Sequence, residues 1–201
     1  MRRTPPFYKE KKEIKMGFFD KKEEQPPAAV ITTTDTSVKT RKIVFSDIPE
    51  SIEAFTALPQ AALSDPFDTA AMTVAALCLF AADKELCFKM LDYLRGPRPL
   101  NGMDKQFISD RFRGKDYIMR SYFDGAIPQN DYTTVSPYTV PVSSDPPSYD
   151  EPNIARLYVA CGGADSPRPV KLRLAKDGKW YLWEQYLLTG IREPQSADPW
   201  A

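Results

Sequence analysis

The spacing of hydrophobic and polar residues changes along the chain and divides it into a helical part and a strand-rich part. From about residue 47 to Gly114, apolar residues recur at helical spacing. After Gly114 they alternate over short runs, which is typical of half-buried strands. Helices followed by strands favour an α+β fold, with an N-terminal layer of about four helices packed on a C-terminal antiparallel sheet.

The first predicted helix begins near residue 47. Asp47 is a suitable N-cap, Pro49 suits the first turn, and Glu50 stands three residues after the cap, as in a capping box. The helix ends before Pro59, and its apolar residues recur at helical spacing: Ile48, Ile52, Phe55 and Leu58.

Three further helices are predicted before Gly114. The second begins at Asp65 and is apolar on all sides, so we expect it at the centre of the core. The third begins after Asp83 and ends at Gly96. The fourth extends over about residues 103–113 and is expected to bury three side chains: Phe107, Ile108 and Phe112.

The strand-rich part, residues 115–201, predicts a sheet of three to five strands. Six prolines in residues 128–152 argue against helix there. Residues 138–142 and 154–161 alternate as strands do.

A hairpin over residues 169–185 is the clearest local signal. Asp177-Gly178 is typical of a two-residue turn, and such a turn places Lys171 opposite Glu184 as an ion pair. Trp180 then falls on the amphipathic face of the hairpin. The apolar face carries four side chains: Leu172, Leu174, Tyr181 and Trp183.

The distribution of charge distinguishes an N-terminal segment from the rest of the chain. The chain has 27 Lys/Arg and 27 Asp/Glu. Residues 1–42 contain eleven Lys/Arg and six Asp/Glu, so their net charge is +5 and that of the remaining residues is −5. With few apolar residues, residues 1–42 are predicted to be a disordered or mobile basic arm, and residues 45–201 a single domain with a helical part, 47–114. The acidic domain argues against nucleic acid as a partner.

Several classes of chemistry are excluded by the residue types present. The chain has no histidine, which removes Ser-His-Asp hydrolysis and histidine-ligated metals. Its nine glycines form neither a dinucleotide-binding fingerprint nor a P-loop. No apolar run reaches the roughly 20 residues of a membrane span. We therefore predict no catalytic residue, no metal ligand and no cofactor.

The three cysteines, Cys78, Cys87 and Cys161, form no CxxC pair, and an odd number does not suit a disulfide framework. Their apolar surroundings predict buried thiols. We therefore expect a reducing, cytoplasmic location.

Residues 162–169 are the segment least typical of a scaffold. Two glycines allow close approach, the prolines stiffen the chain, and Asp165, Ser166 and Arg168 offer polar groups. A ligand- or partner-binding loop is one prediction, and a rigid connection with an internal Asp165–Arg168 contact is the other. Trp180 and Trp200 each have two interpretations: the side chain covers the sheet or the rim of the domain, or it anchors a partner.

Three runs near the C-terminus carry a resemblance: GGADSPRPV at 162–170, GKWYLWE at 178–184 and DPWA at 198–201. They resemble a family of uncharacterised bacterial proteins classed as a domain of unknown function. The resemblance implies a bacterial source and no particular activity, so no functional residue is carried over from it.

Two functions fit these observations. One is a non-catalytic binding or interaction module for an unknown protein or small ligand. The other is a small-molecule enzyme that uses carboxylates for acid and base chemistry, with Arg168 as an anion clamp. The enzyme requires a concave pocket that holds at least two acidic side chains. Because histidine is absent, the binding module is preferred.

Overall fold

The computed structural model describes residues 38–200, and within them helices lie mostly before the strands. The predicted α+β architecture is confirmed, and the sheet has five antiparallel strands. Short 3₁₀ segments connect several elements. The helices and strands are, in chain order, β1 (Lys39–Phe45), α1 (Ile52–Thr56), α2 (Pro66–Cys78), α3 (Lys84–Arg95), α4 (Gly102–Phe112), β2 (Tyr138–Ser144), β3 (Ile154–Val159), β4 (Arg168–Leu174) and β5 (Trp180–Gln185).

Strand β1 was not predicted, and it begins inside the segment assigned to the basic arm. It pairs with β2 along its length, so residues 39–42 belong to the sheet. Ile43 and Phe45 are buried, and Arg41 pairs with Asp65 at the start of α2. With only two inward apolar residues, the strand gives a weak alternating pattern. The prediction for the rest of the arm lies outside the described residues.

The sheet is a meander in which each strand pairs with its neighbours in sequence, so β1 and β5 are the edge strands. One face of the sheet packs against the helices, and α2 contacts all five strands. All ten residues Phe67 and Thr69–Leu77 of α2 are buried, which confirms its predicted central position. Burial of this helix on every side organises the core.

The helix caps follow the sequence except at α1. Asp65 and Asp83 cap α2 and α3 through hydrogen bonds of 2.8 and 2.9 Å from backbone N–H groups. Helix α1, however, begins at Ile52 and is capped by Ser51, whose hydroxyl accepts from Ala54 N at 3.1 Å. The predicted cap Asp47 instead accepts from the adjacent Ile48 N–H.

Helix α4 begins at Gly102, one residue before the prediction, and a capping box between Asn101 and Asp104 closes its N-terminus. Ile108 and Phe112 are buried as expected. Phe107 is 46% exposed, so its predicted burial is wrong. Ile108 and Phe112 are four residues apart on one face of the helix, and Phe107 lies beside that face.

The β4–β5 hairpin has a different turn from the predicted one. Ala175 N donates to Lys179 O at 2.9 Å and Gly178 N donates to Ala175 O at 3.0 Å, which defines a three-residue loop. Gly178 alone supplies the positive φ, +80°, so this is a type I turn with a glycine bulge. The extra loop residue moves the register by one, and Trp180 pairs with Leu174.

The moved register exchanges the two faces of β5. Trp180 and Leu182 are 8% and 4% exposed and join Leu172 in the core, whereas Tyr181 and Trp183 are only partly buried. The predicted faces of Trp180, Tyr181 and Trp183 are therefore wrong. A bulge at Trp183 then restores the predicted pair, and Lys171 Nζ lies 3.2 Å from Glu184 Oε2.

Candidate functional site

Arg168, one of the predicted site residues, joins the 162–169 loop to the segment that follows β5. Its guanidinium donates to the carbonyl oxygens of Thr189, Gly190 and Ser166 at 3.1, 2.8 and 3.1 Å. It also donates to the Ser166 hydroxyl at 3.2 Å. These bonds engage its Nε and both Nη atoms within the protein itself.

The two glycines of the loop are required by close packing. A Cβ on Gly162 would lie 1.9 Å from Ala126 O, and one on Gly163 would lie 2.3 Å from the Tyr132 hydroxyl oxygen. Backbone bonds at the same place connect Gly162 N to Ser121 O and Arg192 N to Gly163 O. The loop is thus packed tightly against its neighbours, as expected of a rigid connection.

Asp165 forms an ion pair with Arg192, so the expected internal contact with Arg168 is wrong. Asp165 and Ser166 line a cleft of about 270 Å³ together with Thr40, Ser143 and Cys161. Thr40 of β1 and Ser143 of β2 contribute to the cleft, and Arg168 does not line it.

Two tryptophans complete the predicted set, and they lie apart from each other. Trp180 is in the core, where its backbone N–H donates to Leu63 O at 2.7 Å and its backbone carbonyl accepts from Thr69 Oγ1 at 2.9 Å. Trp200 is 93% exposed and lines a different, open cleft with Arg192. The five residues therefore do not converge on one site, and their binding roles stay predictions.

A third cleft, which the sequence did not predict, lies between β5 and helices α3 and α4. We call it the Trp183 cleft, and its volume is about 230 Å³. Five consecutive residues, 182–186, form one side of it. The other side consists of residues from α3, α4 and the connection between them: Leu91, Arg95, Arg98, Leu100, Asp104, Phe107 and Ile108.

Two guanidinium groups lie on Trp183. The Cζ atoms of Arg98 and Arg173 are 4.4 and 4.7 Å from the ring centre, within cation–π distance. Both arginines are exposed. No carboxylate of residues 38–200 forms an ion pair with either of them. Neither guanidinium donates a hydrogen bond to another of the described residues.

Two half-exposed aromatic side chains border the same cleft. Phe107 and Tyr186 are each 46% exposed, and the Arg111 guanidinium lies 4.9 Å from the Phe107 ring centre. In protein–protein interfaces, aromatic residues and arginines are enriched among the residues that contribute most of the binding free energy.

Both acidic side chains of the Trp183 cleft are already engaged. Asp104 accepts from the Asn101 backbone N–H at 3.1 Å and lies 3.5 Å from Arg95. A hydrogen bond from the Tyr186 hydroxyl, helped by Lys171, lowers the pKa of Glu184. The cleft thus contains the two carboxylates that the enzyme alternative requires. A general acid, however, needs a raised pKa, and Glu184 has the opposite shift.

The Trp183 cleft escaped prediction because it depends on the hairpin register. The expected two-residue turn assigned Trp183 to the core, which removed it from the candidates. Its partner Arg98 is remote in sequence, between two prolines after α3. The only local signal was the aromatic and basic content of residues 171–186.

Residues 38–200 contain no group of three or more Cys, Asp or Glu side chains arranged to hold a metal ion. No helix in the same part of the chain has the length and hydropathy that crossing a membrane requires. A protein-family model, described as Domain of unknown function (DUF6935), matches residues 47–195. Comparison with curated proteins and with solved structures finds no significant match.

Proposed function

The chain belongs to this DUF6935 family, and we propose that its domain is a non-catalytic binding module. In this proposal the Trp183 cleft holds an anionic group of the partner. The observation that supports this is the pair of guanidinium groups on Trp183, neither of which has an acidic partner among the described residues.

Stacking on an indole ring prepares an arginine for binding. The ring holds the guanidinium plane in place while the N–H groups at its edge stay free to donate. A carboxylate or phosphate can accept two such bonds from one guanidinium. Arg98 and Arg173 come from different elements, so they can approach an anion from two directions.

The neighbouring charges make the cleft selective for anions. Asp104 has Arg95 as its partner, and Glu184 has Lys171, so each acid of the cleft is balanced by a base. Arg98, whose charge also helps to lower the pKa of Glu184, and Arg173 form no ion pair among the described residues. An acidic group therefore replaces no existing ion pair when it binds.

We place the module in the cytoplasm of a bacterium. The three free thiols, of which Cys87 is buried, support a reducing compartment. The bacterial source rests on the C-terminal sequence runs. Binding by Asp165, Ser166 and Trp200 at the clefts beside the 162–169 loop is a separate proposal, supported by the exposure of Asp165 and Trp200.

Selection from a displayed library of random peptides tests the proposed function. We expect acidic sequences to be enriched, and we expect Arg98→Gln and Arg173→Gln each to weaken their binding about tenfold or more, as loss of a charged hydrogen bond implies. Arg113→Gln is the matched control, because that arginine is exposed and lines none of the three clefts. Enrichment of peptides whose binding ignores Arg98 and Arg173 would contradict the proposal.

A further inference from the structure

One edge of β5 borders the Trp183 cleft. Strand β4 occupies the other edge, and β5 has no strand partner on the cleft side within residues 38–200. Consecutive residues 182–186 line the cleft, so the cleft runs along the strand rather than across one of its faces.

The hydrogen bonds around β5 show which backbone groups point into the cleft. Trp180 N–H points away from β4 and donates to Leu63 O at 2.7 Å. Because backbone groups alternate along a strand, Leu182 points the same way. After the bulge at Trp183, Tyr186 N donates to Pro169 O in β4, so the preceding residue, Gln185, points outward.

The outward backbone groups of Leu182 and Gln185 have no backbone partner among the described residues. Leu182 is only 4% exposed. A buried backbone N–H or C=O without a partner is costly, and native structures rarely leave one unpaired. Leu63 therefore satisfies the beginning of this edge, and Leu182 is covered within the fold. Gln185, which is partly exposed, is the outward position that remains open to another chain.

We propose that an extended, acidic peptide segment of a partner protein adds to the free edge of β5 as a sixth strand. The inference rests on the proposed function, because it places the partner's acidic groups at Arg98 and Arg173. Strand addition supplies backbone hydrogen bonds for affinity, and side-chain pockets supply specificity.

The two sides of the cleft indicate the sequence pattern of the peptide. Side chains of an added strand alternate between the two faces of the sheet. On one face they meet the partly exposed apolar groups of the cleft, Leu100 and Phe107. On the other they meet Arg98, and Arg173 lies on the same Trp183 ring. The peptide that fits therefore alternates apolar and acidic residues.

A synthetic peptide of about six to eight residues that alternates glutamate and valine is the probe, since that is a common strand length. A peptide of the same composition, with its glutamates and valines in two blocks, is the control. We expect the alternating peptide to bind more tightly. We also expect slower hydrogen exchange at the Gln185 amide of the full chain when the alternating peptide is bound.

N-methylation of the alternating peptide, one amide at a time, identifies its backbone bonds. We expect every second N-methyl group to weaken binding about 2- to 10-fold, the value of a net hydrogen bond, and the intervening ones to have little effect. On the protein side, Gln185→Pro removes one outward N–H at an edge where proline is tolerated, and Gln185→Ala keeps it. Both variants lose the side chain that accepts from Leu187 N, and only proline loses the amide, so the proline variant should weaken binding more than the alanine variant.

The outcomes separate the two proposals. Binding that depends on Arg98 and Arg173 but shows no alternation in the N-methyl series overturns strand addition and leaves the proposed function standing. Binding of the peptides that ignores both arginines contradicts the proposed function itself. Two other results also overturn the acidic peptide as occupant: tighter arginine-dependent binding of an oligothymidylate, or a dimer of this chain that Gln185→Pro dissociates.

Discussion

Arg98 and Trp183 connect the turn after α3 to the edge strand of the sheet, with 4.4 Å between the guanidinium carbon and the centre of the indole ring. A contact between elements so distant in the chain forms only when the helical layer is in place on the sheet. Both residues line the Trp183 cleft, so the binding surface and the packing of the two layers depend on each other.

Replacing Arg98 with alanine should therefore affect binding far more than stability. An exposed cation–π contact contributes about 0.5–1 kcal/mol, so we expect a loss of that size in urea unfolding. Arg98→Lys keeps the charge but lacks the planar guanidinium. Compared with Arg98→Ala, we expect the lysine variant to recover most of the stability but less of the affinity for anions. Full recovery of binding in the lysine variant would contradict a role for the guanidinium geometry.

The two tryptophans of β5 should differ strongly when truncated. Trp180→Ala removes a core side chain and should cost about 3–5 kcal/mol of unfolding free energy. Trp183→Ala removes a partly exposed ring and should cost about 1 kcal/mol. Denaturation of both variants measures this difference, and a larger loss in Trp183→Ala than in Trp180→Ala would argue for the two-residue turn and against the observed register.

Gly163→Ala tests the tight packing of the 162–169 loop. The added Cβ would overlap the Tyr132 hydroxyl and Ile191, and overpacking of this kind costs about 1–3 kcal/mol. Gly102→Ala is the control, because nothing lies within 4 Å of its Cβ position. Alanine is also favoured there by helix propensity, so that variant should be unchanged or more stable by up to about 1 kcal/mol.

Arg168→Ala should lower the melting temperature, because it removes the hydrogen bonds to Thr189, Gly190 and Ser166. We expect a loss of about 1–3 kcal/mol. Arg113→Ala, which removes an exposed ion pair with Asp110, should change stability by less than about 1 kcal/mol. An Arg168 variant that keeps its melting temperature but loses a partner would instead support the binding loop predicted from the sequence.

Glu184 should make the fold sensitive to acid. Its pKa is lowered in the folded state, chiefly by the Tyr186 hydroxyl and also by Lys171, so the unfolded chain binds the proton more tightly. The resulting stability is present above the ordinary Glu value of 4.5 and is lost as the pH falls through the lower folded value. When the pH is lowered from about 6 to about 3, the free energy of unfolding should therefore fall less in Glu184→Gln than in the unmodified chain.

Urea titrations at several pH values measure this difference, with Glu151→Gln, an exposed loop residue, as the control. Equal acid sensitivity of the Glu184 variant and the unmodified chain would show that the carboxylate has no such role.

Local signals were sufficient for much of the fold. Asp65 and Asp83 identify two helix starts because a short polar side chain satisfies free N–H groups within its own turn. The Lys171–Glu184 pair was predicted correctly even though the residues between it and the turn were not. There the turn and the bulge each move the register by one residue, and the two changes cancel.

The candidate binding residues were less accessible to sequence reasoning. Gly163 and Arg168 are required for packing and for hydrogen bonds within the fold. In the sequence, however, a glycine and an arginine in a proline-rich loop are equally typical of a binding loop. Phe107 followed the helical spacing of core residues, but it lies at the border of a cleft. A pattern shows that a residue is apolar, and only its neighbours in space determine whether it is covered.

The amino-acid sequence by itself determined the helices, their order before most strands, and the absence of histidine chemistry. These properties depend on residue type and on spacing within a few residues. Only the tertiary structure decided the register of β5, the strand β1, and the meeting of Arg98 and Arg173 on Trp183. Those depend on contacts between residues far apart in the chain, and for β5 the register is the one that buries Trp180 in the core.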